Sequence, residues 1–271
     1  MTIRQFGTRR EALRTALIAA TAAALTACAT TIGGQPRIAP SVGPISPGHE
    51  VIGASASPLP VNTLTNSDGI TPGAEITLPR PGREDGSCTV GFLVKLTDGR
   101  TGAMSAGHCQ AKGGQAVLTA TGRPIGQYLE RTYQGDAPQH HDAALIVLDP
   151  GLVVDAWILN KTRVTSGVAS AADLLGGRGG PATICWTGAT TGGGNHCGPI
   201  TNLDVENSKL TFLPDTQSTA GDSGGPVWAV WPDGGISAVG SLIGHSKSTG
   251  TVTASLLAPW MSAWHLKLAQ T

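Results

Sequence analysis

From Glu84 onward the apolar stretches are all short: Cys88 to Leu96, Gln115 to Ala120, Asp142 to Leu148, Ala182 to Trp186, Pro226 to Trp231 and Ile236 to Ile243, each set between glycine-rich turn sequences. Runs of that length, rich in β-branched and aromatic residues, predict strands and not long helices. The chain holds 38 glycines and 18 prolines, and only 13% of its residues are charged, which suits many strands joined by tight turns. We therefore expect an all-β domain, long enough to form two small antiparallel barrels in place of one sandwich. One helix is predicted near the C-terminus, where Trp260, Met261, Trp264 and Leu268 share a face and Pro259 falls in the first turn. Its apolar face makes it a packing element.

The N-terminal third has a different texture. Arg4, Arg9, Arg10 and Arg14 precede the small apolar run Thr15 to Ala27, which is too short to span a bilayer comfortably and reads as an export signal. The segment Thr8 to Arg14 resembles the twin-arginine export motif, with Ala12 where a bulkier apolar residue is usual. Leu25-Thr26-Ala27-Cys28 resembles a bacterial lipobox, which implies lipidation of Cys28 and an outward-facing protein anchored to the cell membrane. Ordinary cleavage near Ala27 would instead leave a secreted protein. Residues 29–83 are rich in Pro, Gly, Ser and Thr and are expected to be a flexible linker, with a propeptide as the competing idea. Within it, Glu75-Ile76-Thr77-Leu78 has the pattern of an edge strand. The folded domain is then 84–271, divided into a first barrel at about 84–160 and a second at about 161–271.

With 18 basic and 18 acidic side chains the protein has no net field to draw it to nucleic acid or an anionic surface, so recognition must be local. No interface signal points to an oligomeric state. Apart from Cys28 there are four cysteines, an even number that in an exported chain predicts two disulfides. Three pairings are open. Cys88 with Cys109 and Cys185 with Cys197 is favoured, because each closes a local loop and the first would brace the turn after His108; each would contribute about 3 kcal/mol. A zinc site using His108, Cys109, His196 and Cys197 lacks any CxxC-type ligand pair.

Three segments carry chemistry. Met104-Ser105-Ala106-Gly107-His108-Cys109 places an imidazole beside a half-cystine; His141-Asp142-Ala143-Ala144-Leu145-Ile146 puts a carboxylate at the mouth of an apolar strand; Thr219-Ala220-Gly221-Asp222-Ser223-Gly224-Gly225-Pro226 surrounds a serine with glycines. A serine hydroxyl is a poor nucleophile until a base takes its proton, a role His108 suits near neutral pH. Asp142 would orient the imidazole, and the Gly221 and Ser223 amides would form the oxyanion hole.

Ala106-Gly107-His108-Cys109, Asp142-Ala143-Ala144-Leu145 and Gly221-Asp222-Ser223-Gly224-Gly225-Pro226, in that order, resemble the histidine, aspartate and serine motifs of the chymotrypsin/trypsin-like serine peptidases, particularly their compact bacterial members. The resemblance runs from about Ser87 to the end. It implies two six-stranded antiparallel barrels, His108 and Asp142 from the first, Ser223 from the second, no cofactor or metal, and a polypeptide substrate.

The sequence also departs from the family pattern. Four residues before the nucleophile, where many members have a disulfide-bonded cysteine, stands Thr219, so the specificity pocket is expected to be looser or differently braced. Six before it, at the pocket base, Gln217 replaces the aspartate that selects arginine or lysine. The second pocket wall is expected from Ser241-Leu242-Ile243-Gly244-His245, with His245 as a candidate contact for a polar or acidic side chain. In animal relatives a new N-terminus pairs with the aspartate before the serine, whereas Asp222 here needs an internal partner. His140 and His141 are read as a solvated loop. The leading function is a serine endopeptidase; the alternatives are a non-catalytic binding module on the same fold or an esterase with the same triad.

Overall fold

The computed structural model describes residues 70–270 apart from 81, 83, 111–113, 136–139, 160, 182 and 193. The export signal, Cys28 and the linker up to residue 69 lie outside the described residues.

Two antiparallel sheets make up the domain. The first contains β1 (Glu75–Leu78), β2 (Gly86–Thr89), β3 (Leu93–Lys95), β4 (Thr101–Ser105), β5 (Ala116–Thr119), β6 (Pro124–Arg131), β7 (Ala144–Leu148) and β15 (Lys267–Leu268). Its order is β15-β3-β4-β7-β6-β5-β1-β2. Strand β2 at one edge runs through residues 90–92 into β3 at the other side, and the Gly91 N–H to Met104 O and Met104 N–H to Phe92 O bonds carry the pairing around the bend. Counting that bent path once and setting aside the added β15, eight strands reduce to six around a closed barrel. The second sheet behaves in the same way. It contains β8 (Thr183–Trp186), β9 (His196–Gly198), β10 (Ile200–Asp204), β11 (Lys209–Phe212), β12 (Pro226–Val230), β13 (Ile236–His245) and β14 (Val252–Leu256), in the order β10-β11-β14-β13-β12-β8-β9. Only Pro199, which has no N–H to offer a ladder, separates β9 from β10, so these two edges are one path and seven strands reduce to six.

Burial explains why the strands read as they do. All five residues of β7 are buried. Ala144, Ile146 and Leu148 fill the first barrel, while Leu145 and Val147 point the other way into a layer with Trp228, Leu257 and Trp260. A strand covered on both faces loses its polar alternation. The second barrel is filled by Ile184, Trp186, Leu210, Phe212, Val227, Val239, Leu242 and Val252 among others.

Two sequence expectations are corrected here. The linker was expected to reach residue 83, yet β1 is paired on both sides, by β2 and β5, and Ile76 and Leu78 are fully buried. Alternation of apolar side chains gives this segment a face to bury, so the barrel begins ahead of residue 84 and β1 is not an edge. The C-terminal helix, α1, spans Leu257–Ala263 and does not reach Leu268. His265 has φ of 52°, a left-handed conformation that ends a helix, and beyond it Leu268 pairs with Val94 in the first sheet. The last strand of the chain therefore belongs to the first barrel.

Candidate active site

Strand β4 ends in the first barrel and passes into a 3-10 turn, Gly107–Cys109, that presents His108. Gly107 is needed there, because a Cβ would lie 2.9 Å from Ala143 O and from Tyr133 Cβ. The turn is fixed by the Cys88–Cys109 disulfide on one side and by Asp142 on the other. Asp142 immediately precedes β7 and is 8% exposed. One carboxylate oxygen, Oδ1, accepts the His108 backbone N–H at 3.0 Å, and the other, Oδ2, stands 2.8 Å from His108 Nδ1. With both oxygens used, the carboxylate cannot rotate away from the ring. Ionised carboxylate only accepts, so Nδ1 carries the proton and the lone pair of Nε2 faces outward. At 2.8 Å from Nε2 lies Ser223 Oγ.

Ser223 sits in a turn that only glycine-rich sequence can make. Gly221 and Gly224 have φ of 99° and 92°, and a Cβ on Gly224 would strike Ser105 Oγ and Thr89 O. The turn is docked against the first barrel through Thr89, whose N–H donates to Ser223 O at 2.7 Å and whose hydroxyl donates to Gly221 O at 2.8 Å. Thr89 adjoins Cys88, so the disulfide that braces the His108 turn also braces the strand that holds Ser223. Gly224 N–H donates to Leu242 O, and Leu242 N–H donates to Gly225 O, which ties the turn to β13. Among the described residues the amides of Gly221 and Ser223 donate to no protein acceptor.

The structure thus brings together His108, Asp142, Ser223 and Gly221. It also answers the question raised by Asp222, whose internal partners are Thr190, Thr191 and Thr219. Both favoured disulfides are present, Cys88–Cys109 and Cys185–Cys197, which leaves none of those four sulfurs for a metal. Of the residues expected at the specificity pocket, Gln217 donates from Nε2 to Ser246 O at 3.2 Å, and His245 Nδ1 lies 3.2 Å from Ser218 Oγ. These two contacts join the segment before Ser223 to the last residue of β13 and the one after it, so both segments are braced by hydrogen bonds. Gly244 has open space beside it, while Ile243 packs against the core of the first barrel.

Sequence reasoning missed two groups. Tyr133 meets the His108 ring edge-on with centroids 6.0 Å apart, and Arg131 lies over the tyrosine at 5.1 Å while donating from Nε to Gly107 O at 2.9 Å. Nothing in their spacing from His108 signals this, because Arg131 is the last residue of β6 and Tyr133 follows just beyond it. The reading of His141 as solvated is corrected: its ring packs on Trp260 at 5.2 Å, since helix α1 covers that loop.

The architecture is that of the chymotrypsin-like double-barrel proteins. No family model matches the chain, and no curated protein sequence matches it. Solved structures do. A Nocardiopsis protease is 23% identical with a TM-score of 0.54, over 74% of this chain and 100% of its own. Thermobifida fusca protease A is 23% identical with a TM-score of 0.55, over 75% and 100%. A Cellulomonas bogoriensis chymotrypsin is 23% identical with a TM-score of 0.52, over 75% and 100%. Identity at this level shows a shared fold.

Proposed function

We propose that this protein is an exported serine endopeptidase that cleaves polypeptides through an acyl-enzyme. The observation that carries the reading is the unbroken line of contacts from Asp142 Oδ2 through His108 to Ser223 Oγ, 2.8 Å at each step. In the first half-reaction Ser223 Oγ attacks the scissile carbonyl and its proton passes to His108 Nε2. Asp142 stabilises the imidazolium that forms. The carbonyl π electrons move to oxygen, which the Gly221 and Ser223 amides receive; each such donor is worth about 3 kcal/mol in comparable sites. Collapse of this intermediate breaks the C–N bond, and the His108 proton leaves on the amine. Water then attacks the ester by the same steps and frees Ser223.

Gln217 carries no charge to pair with arginine or lysine, and its amide is already engaged with Ser246. The preferred residue before the scissile bond is therefore uncharged or acidic, with His245 as its polar contact. Two disulfides support maturation in an oxidising compartment. The lipobox-like sequence extends the reading to a membrane anchor at Cys28, which replacement of Cys28 would release; without lipidation the protein is secreted. No cofactor or nucleic-acid partner enters the reading.

The test is digestion of a complex peptide mixture by the full-length chain, with mass-spectrometric mapping of new termini. We expect internal cleavage that is lost in His108→Ala. Absence of cleavage by folded protein would sink the peptidase reading, and hydrolysis of esters without peptides would replace it with the esterase.

A further inference from the structure

Asp222 is fully buried, one residue before Ser223. A carboxylate taken out of water costs several kcal/mol unless it is paired or fully hydrogen-bonded. Among the described residues no lysine, arginine or histidine pairs with it. Neutral donors surround it instead. Oδ1 accepts the Thr190 and Thr191 N–H groups at 2.9 and 2.8 Å. Oδ2 accepts the Thr191 hydroxyl, the Thr219 N–H at 2.7 Å and the Thr219 hydroxyl at 3.3 Å. Gly188 closes the remaining side so tightly that any Cβ there would overlap the carboxylate. Thr190 also packs where a side chain on Gly221 would have to go.

We propose that this cage assembles the Gly221–Ser223 turn from inside, so that the uncleaved chain already holds it in working shape, and that Thr191 is its principal positioning residue. Among the described residues Thr191 alone bonds both oxygens, through N–H and hydroxyl, and so fixes the rotation of the Asp222 side chain. Held so, the side chain anchors Asp222 and restrains the following peptide, which carries the Ser223 N–H, while the Thr219 contacts to the same carboxylate and the Asp222 N–H to Thr219 O bond restrain the short stretch that carries the Gly221 N–H. All donor positions around the carboxylate are taken by the chain itself. A new N-terminus would find no place there.

The proposal rests on Ser223 as the nucleophile, and the experiment separates the two. The full-length chain, its intact N-terminus verified by mass, is treated with a fluorophosphonate, and labelling rates are compared with those of Thr191→Val, Thr191→Ser and Thr219→Val. The intact chain is expected to label without prior cleavage. Thr191→Val should label about tenfold more slowly, a loss typical of removing a hydrogen bond to a charged group. On a peptide substrate that loss should fall on kcat with KM little changed, and Thr191→Ser should restore it. Thr219→Val, at an exposed side chain with the longest of the five bonds, should label two- to fivefold more slowly and keeps the test open if Thr191→Val does not fold. Wild-type protein that never labels defeats the nucleophile reading. Wild type that labels only after cleavage, or labels no faster than the Thr191 or Thr219 valine variants, overturns the cage.

Discussion

The turn that carries Ser223 and the walls beside it, one earlier in the same connection between β11 and β12 and the other at the end of β13, all belong to the second barrel, yet they are held to very different degrees. The turn is bonded on every side: Thr89 takes its carbonyls, β13 takes Gly224, and five donors surround Asp222. The walls meet through two side-chain hydrogen bonds, Gln217 to Ser246 and Ser218 to His245. Attack on a carbonyl tolerates little error in the position of nucleophile or oxyanion donors. Selection of a side chain tolerates adjustment. The difference shows where this molecule keeps its order, and it predicts that substitutions in the turn act on rate while those in the walls act on preference.

The largest effect should come from the orienting carboxylate. Asp142→Asn keeps its size but reverses the hydrogen bonding to Nδ1, which stabilises the wrong tautomer; kcat on a peptide substrate should fall about 10,000-fold with little change in melting temperature. Next is Gly221→Ala, which places a Cβ against Thr190 and asks alanine to hold φ of 99°. About 100-fold loss in kcat is expected as the oxyanion donors move, and a loss under threefold would show that the turn is less demanding than its bonding suggests. Removing the Cys88–Cys109 link as a pair of alanines should lower stability by about 3 kcal/mol in denaturant titration. The smallest effect belongs to the walls: Ser218→Ala and Gln217→Ala should change the residue preferred before the scissile bond, each by a fewfold in kcat/KM on a peptide library. If either wall variant matched Asp142→Asn in lost rate, the contrast would fail.

This same contrast governed what could be read from sequence. The Ser223 turn was legible because its constraints are local: glycine at 221 and 224 is demanded by φ and by close backbone approach, and those demands are written in adjacent residues. Asp142 was legible because it stands at the mouth of β7, a strand with a strong apolar signature, and His108 because small residues lead from Met104 to an imidazole beside a half-cystine. Strands such as β4, with Thr101 and Gly102 at its start, and β10, exposed along much of its length, lack that signature and escaped notice. The Thr190–Thr191 loop could not have been found, since it reaches Asp222 across a separation of 31 or 32 residues and carries no periodic pattern. Tyr133 and Arg131 were hidden for the same reason. The extent of the first barrel was misjudged at both ends because β1 is four residues set in a Pro- and Gly-rich stretch, and β15 is two residues whose partner, β3, lies far earlier in the chain.

The central claim is that Ser223 is an activated nucleophile. Its most direct test is labelling of the folded full-length protein by a fluorophosphonate, side by side with Ser223→Ala. We predict a single adduct on Ser223 in the wild type and none in the variant. Folded wild-type protein that takes no label, or a Ser223→Ala chain that keeps it, would contradict the account.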